Sequence, residues 1–264
     1  MPARSDGPYL IHTACSGSVL TIMNLFEHLD HRPWPLPDRP WIMKQQWLNL
    51  LFLHWPVDPS SIQSQIPEGL EIDTFDGNAW IGIVPFDMKG VTPRGCPAPS
   101  ILSDFPEINV RTYVVRDGKP GVWFFSLDVT NPVATTIARK VFHLPYYTSD
   151  VRIRTNQDGT HYFMQRDKLV FDATYHATGP CKSKSGSFED WCTERYCLYA
   201  QSTSGKLFRA QVHHRKWPLE KAKLKIRQNT LLDEFDVGGR HPSILFSKSI
   251  DVVVFPMERL RMGI

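Results

Sequence analysis

The chain reverses direction at a recurring dipeptide. Asp76-Gly77, Asp117-Gly118, Asp158-Gly159 and Ser204-Gly205 each sit between runs rich in branched and aromatic residues. Aspartate tolerates, and glycine favours, the positive φ angles of a tight type I′ turn, whose twist suits two paired strands. Reading outward from these turns predicts strands at 45–54, 70–74, 79–88, 107–116, 121–129, 150–156, 160–166, 169–177, 191–201, 206–216, 219–228 and 249–255. Short strands in that number predict a mainly β chain with a few short helices, predominantly antiparallel, closed as a barrel or stacked as a sandwich.

The helices carry their own start signals. Asp58-Pro59 and Asn131-Pro132 each place a capping side chain before a proline at the first helical position. Pro67 and Gly69 end the first helix. The second carries an apolar stripe, Ala134, Ile137, Ala138, Val141 and Phe142, and must stop before Pro145. Thr230 with Asp233 is expected to cap a third. The long Pro-rich stretch 90–106 reads either as a lid or site wall, or as inert packing.

Composition bounds the setting. With 264 residues, 42% of them hydrophobic, the chain can bury a core without staples. No apolar run exceeds about four residues, as in Leu50 to Leu53, so no membrane-spanning helix is expected. A net charge of +3 gives no argument for a nucleic-acid partner. The 5 cysteines (Cys15, Cys96, Cys181, Cys192 and Cys197) are few, odd in number and lack a C-x-x-C pair. That argues against a disulfide framework and a structural zinc site, and for a cytoplasmic protein. Residues 1–31 are expected to be a disordered extension, with Met23 and Met43 as alternative starts, and 32–264 a single domain. Within it, 32–41 reads as an extended arm, since its prolines forbid helix while its tryptophans seek burial.

The most informative strand is Glu107-Ile108-Asn109-Val110-Arg111-Thr112-Tyr113. Alternation puts Glu107, Asn109, Arg111 and Tyr113 on one face and Ile108, Val110 and Thr112 on the other. The polar face would line a cavity in a closed sheet, where Arg111 could grip a carboxylate with its two-pronged fork, or it would face solvent with cross-strand salt pairs. In Thr193-Glu194-Arg195-Tyr196, strand geometry puts Glu194 and Tyr196 on one face and Arg195 on the other. Glu194 could pair with Arg111, or be a structural surface acid. His213-His214 would point to opposite strand faces, so both cannot hold one metal ion, and a structural role is expected. His54 reads as a core or edge histidine. Lys221, Lys223, Lys225 and Arg227 alternate on a strand whose other face is Ala222, Leu224 and Ile226, which reads as a solvated outer face. No G-x-G-x-x-G, P-loop or G-x-S-x-G occurs, so nucleotide cofactors and elbow serine hydrolases lose support, and no cofactor is expected.

Several runs then act together: Leu51-Phe-Leu-His-Trp-Pro-Val-Asp, Ile66-Pro-Glu-Gly-Leu-Glu-Ile-Asp-Thr-Phe-Asp-Gly, Val84-Pro-Phe-Asp-Met, Asn109-Val-Arg-Thr-Tyr, Gly121-Val-Trp-Phe-Phe-Ser-Leu-Asp, Leu144-Pro-Tyr-Tyr and Thr193-Glu-Arg-Tyr-Cys-Leu-Tyr. Over about residues 32–260 the chain resembles the YqjF-like family, bacterial proteins without assigned function in the acetoacetate decarboxylase-like superfamily. The resemblance implies a cone-like antiparallel β-barrel around a closed cavity. The decarboxylases carry adjacent lysines after the proline of the segment matching Leu144-Pro145, one of them forming a Schiff base. Here those positions are Tyr146 and Tyr147, and a phenol cannot form an imine. Lys140, on the preceding helix, is expected to face solvent. The decarboxylases assemble, so a homo-oligomer is among the expectations.

Three functions remain open. In a binding protein, Arg111 would anchor a small carboxylate or carbonyl compound, with Asn109, Tyr113, Tyr146, Tyr147 and Tyr196 supplying hydrogen bonds. In a lyase, isomerase or hydrolase, Glu107 or Glu194 would be the base, Tyr146 or Tyr147 the proton donor and Arg111 the charge stabiliser. In a scaffold, the chain's own side chains would fill the space.

Overall fold

The computed structural model describes residues 25–96 and 103–261. The chain divides into two units between Pro35 and Leu36. In the smaller, Arg32 Nε donates to the Trp34 carbonyl at 3.4 Å, and its guanidinium lies 5.9 Å from that indole. The extension expected at 1–31 falls mostly outside the described residues, as do Cys15 and the centre of the 90–106 stretch.

The larger unit is mainly β with a few short helices. Its strands are β1 (Met43–Val57), β2 (Glu71–Ile72), β3 (Ala79–Pro93), β4 (Phe105–Arg116), β5 (Lys119–Val129), β6 (Tyr146–Thr148), β7 (Asp150–Asn156), β8 (Gly159–Arg166), β9 (Leu169–Pro180), β10 (Cys197–Gln201), β11 (Leu207–His214), β12 (Leu219–Asn229), β13 (Ser243–Val254) and β14 (Glu258–Arg259). The helices are α1 (Pro59–Ile62), α2 (Pro132–Phe142) and α3 (Phe188–Thr193). Among the described residues no helix is long and apolar enough to cross a membrane.

Hydrogen bonding runs in a circuit. From β1 it passes to β3, β4, β5, β10 and β11, then through β13 back to β1. The resulting ring is mostly antiparallel, with parallel pairings of β5 to β10 and β6. From β13 the sheet continues through β12, β9, β8 and β7. Two cores follow. Phe52, Phe86, Tyr113, Val129 and Ile250 form one, carried by the ring strands and continued by Cys192 of α3. Leu51, Ile81, Ile108 and Val110 pack with Tyr162, Met164 and Phe171 of β8 and β9 in the other. Strand β4 contributes to both, so the expected alternation holds and both faces are buried. The basic face of β12 is exposed, and Ala222, Leu224 and Ile226 back onto the second core.

Local sequence explains most elements. Asp117 and Gly118 adopt φ of 51° and 67°, joining β4 to β5 by the expected turn. Asp158-Gly159 differs: Asn156 pairs with Gly159, so the turn centre falls one residue earlier and Gly159, at φ 128°, follows it. The Asn131 side chain accepts from Val133 N and Ala134 N to cap α2. His143, left-handed at φ 53°, ends that helix before Pro145. Within the apolar stripe of α2, Ile137 and Val141 are 46% and 54% exposed.

Two expectations need correction. The strand expected at 191–201 begins as α3. Ser187 caps it by accepting from Asp190 N, and Glu189 and Asp190 in the first turn complement the helix dipole. Strand geometry therefore starts only at Cys197. The helix expected from Thr230 is a run of turns, because the Thr230 hydroxyl is engaged by β9, accepting from Val170 N at 2.8 Å. Strands β6 and β14 are too short to leave a period-2 signal.

Candidate functional site

Strand β4 carries the chemistry. Its register sets Glu107 opposite Phe86 of β3 and Val129 of β5, and Arg111 opposite Gly82. Between Val110 and Arg111 the β5 partner jumps from Ser126 to Phe124, a bulge that divides the polar face into two groups.

The first group meets a cavity of about 250 Å³. Met43, Trp47, Met88, Phe105, Leu127 and Phe142 supply apolar wall, and Ile137, 46% exposed, also borders it. The polar side chains on the wall are Gln45, Glu107 and Tyr146, and no lysine or arginine is among the described lining residues. Tyr146 donates to Glu107 Oε2 at 2.8 Å, and Asn109 Nδ2 donates to Oε1 at 3.4 Å. Gln45 is held from the side, its Oε1 accepting from Trp47 Nε1 at 2.9 Å.

Glu107 is 3% exposed. Burial raises its pKa to about 7, against the opposing pull of the Tyr146 and Asn109 hydrogen bonds and the Arg111 charge. Burial, with the Glu107 carboxyl beside it, pushes the Tyr146 phenol well above its usual range. The pair therefore offers a carboxyl that changes charge near neutrality and a phenol that stays protonated.

The second group lies past the bulge. Tyr113, fully buried, shares a 2.5 Å hydrogen bond with His54 Nε2. Burial, and then the charges of Arg111 and Arg195, hold His54 well below its usual pKa, so it is neutral. Burial lifts Tyr113 to about 12. Arg111 and Arg195 both lean over the Tyr113 ring, and Arg195 pairs with Asp73.

The remaining expected residues lie elsewhere. Glu194 caps the end of α3, accepting from the Tyr196 phenol and from Trp217 N. Tyr196 stacks on His214, 4.8 Å between ring centres. Glu194 and Tyr196 thus meet through a turn, not along a strand face, and among the described residues no carboxylate forms an ion pair with Arg111. Tyr147 lies under the Arg166 guanidinium at 3.9 Å and does not line the cavity. Lys140 is exposed on α2. His213 and His214 are buried in β11, and His214 Nδ1 lies 2.7 Å from the Arg215 carbonyl. Among the described residues no cluster of His, Cys, Asp and Glu could hold a metal ion. Sequence reasoning missed Gln45, and it underweighted His54 and Arg195. Only the isolation of His54 within an apolar run hinted at its place.

The strand ring has the acetoacetate decarboxylase-like fold. An acetoacetate decarboxylase from Legionella pneumophila matches with a TM-score of 0.62 at 13% identity, over 96% of this chain and 98% of that one. An acetoacetate decarboxylase-like enzyme from Sphingomonas wittichii matches at 0.61 and 12% identity, over 88% and 98%. Within that fold the chain belongs to the DUF2071 family, described as an uncharacterized conserved protein, whose model matches residues 44–251. It is 37% identical to the uncharacterized protein YqjF of Bacillus subtilis over 240 residues, 88% of this chain and 98% of that protein.

Proposed function

We propose that this is a small-molecule-binding protein for a short carbonyl or carboxylic compound with an apolar body. One observation carries the reading: two hydrogen-bonded, buried polar groups, Glu107 and Tyr146, stand in the wall of an otherwise apolar cavity. When Glu107 is protonated it donates to the Tyr146 oxygen and frees the phenol hydrogen for a ligand oxygen; when it is charged, the phenol hydrogen stays on Glu107 and the carboxylate accepts from a ligand donor. Asn109 holds the carboxyl in place. The cavity volume favours a bound ligand over a space filled by the chain's own side chains. Tyrosine at 146, with no lysine on the wall, argues against imine chemistry. The small cysteine count suits a cytoplasmic setting.

The test is a thermal-melt screen of short carboxylic, keto and hydroxy acids. Measured in the Arg111→Gln background, binders are expected to raise the midpoint, and adding Ala134→Phe, which fills the cavity from α2, is expected to abolish the rise. A rise that survives Ala134→Phe means that the ligand sits elsewhere.

A second reading is favoured by the Glu107 pKa near 7, which suits general base catalysis. Glu107 would take a proton and Tyr146 would give one, while Arg111, which does not line the cavity, drops out of the charge-stabilising role expected for it. A metabolite-library screen for turnover decides it, with product lost in Glu107→Gln while ligand binding persists.

A further inference from the structure

Among the described residues Arg111 has no counter-ion. Its Cζ lies 5.6 Å from the ring centres of both Phe52 and Tyr113. Its Nε is buried and has no hydrogen-bond partner. Arg195 approaches the same Tyr113 ring at 4.7 Å. Asp73 neutralises Arg195, yet the Arg195 Nη2 is buried and unpartnered. The third member is His54, fully buried, with Nδ1 unpartnered. When the Tyr113 phenol donates to Nε2, the neutral ring carries its proton on Nδ1 and presents a third orphaned donor.

The charges do not balance. Among the described residues Asp73 pairs with Arg195 and no carboxylate pairs with Arg111, and the histidine between them is neutral. A half-buried positive charge and unpaired buried donors are both unfavourable, and an arriving anion relieves both. Gly82, lacking a side chain, lets His54 and Arg111 pack together against its backbone. A Cβ there would lie 3.1 Å from His54 Nε2 and 3.2 Å from Arg111 Cγ.

We infer that Arg111, His54 and Arg195 form a binding site for a small carboxylate. The planar fork of Arg111 matches the two oxygens of that group, which a spherical anion does not offer. None of the three side chains lines the Glu107 cavity, and Arg111 lies about 13 Å further along the same strand face by strand rise. The site therefore stands or falls independently of the reading given to Glu107 and Tyr146.

The test uses the full chain at low ionic strength, with sodium formate as probe and sodium chloride as the ionic-strength control. Formate is expected to raise the melting midpoint saturably, and chloride at equal concentration is not. Glu107→Gln is expected to keep the formate response and Arg111→Gln to lose it. In anion-free buffer Arg111→Gln is expected to melt no lower than the wild type, because the uncompensated charge is gone. Should Arg111→Gln fail to fold, Arg111→Lys keeps the charge but not the fork and is expected to need roughly tenfold more formate. Equal effects of formate and chloride, a formate response undiminished in both Arg111 variants, or no response in the wild type would each overturn the site.

Discussion

Tyr146 donates a 2.8 Å hydrogen bond to Glu107 Oε2, tying β6 to β4 at the wall of the cavity. The bond favours the charged carboxylate and holds the Glu107 pKa down against burial. Tyr146→Phe is therefore expected to move the Glu107 pKa above about 7, read from the side-chain carboxyl carbon by NMR titration. A downward move would mean that the phenol does not protect the charged form.

Glu107 also makes a signed prediction for stability. Its folded pKa of about 7 exceeds the ordinary glutamate value of 4.5, so between these values the folded state holds the proton more tightly. This contribution is complete below about 4.5 and is lost as pH rises through about 7. Relative to Glu107→Gln, the wild type should lose on the order of 3 kcal/mol across that window. Urea unfolding at stepped pH measures the difference, and taking it against Glu107→Gln cancels the titration of His54 and other groups. A difference that stays flat with pH would show that the carboxyl titrates like an exposed one.

The ring closes tightly where β5 meets β10. A Cβ on Gly121 would sit 2.7 Å from the Cys197 carbonyl oxygen and 2.8 Å from Tyr199 Cε2. Backbone cannot yield there as a flexible side chain would. Gly121→Ala is expected to destabilise by about 2 kcal/mol, seen as an earlier urea midpoint with an unchanged slope. Wild-type stability in this variant would mean that the two strands separate at little cost.

Acetoacetate followed by borohydride is expected to leave the intact mass unchanged, because Tyr146 cannot form an imine. A stable adduct mapped to any lysine would restore the chemistry that this chain is argued to lack.

The hairpin turns and alternating strands made the fold legible, because period-2 patterning and turn chemistry are local. The alternation of β4 likewise put Glu107, Asn109, Arg111 and Tyr113 on one face. That strand pattern could not show the bulge between Val110 and Arg111, since register depends on the neighbouring strand. Nor could it show that Tyr146 reaches Glu107, across 39 positions of chain, while its neighbour Tyr147 turns to Arg166. At Phe188–Thr193 the capping signal of Ser187 was present, but aromatic residues gave a strand reading that outweighed it. His54 and Arg195 come together only through folding, one from β1 and the other from the segment after α3.

The most direct measurement is calorimetric titration of short aliphatic acids and keto acids, such as hexanoate and 2-oxohexanoate, into the wild type, Tyr146→Phe and Ala134→Phe. Saturable binding to the wild type is expected, weakened about tenfold by loss of the phenol donor. Filling the cavity with Ala134→Phe should abolish it, apart from any carboxylate binding that Arg111→Gln removes. Equal affinity in all three proteins, or no binding to the wild type by any member of the series, would contradict a ligand cavity at Glu107 and Tyr146.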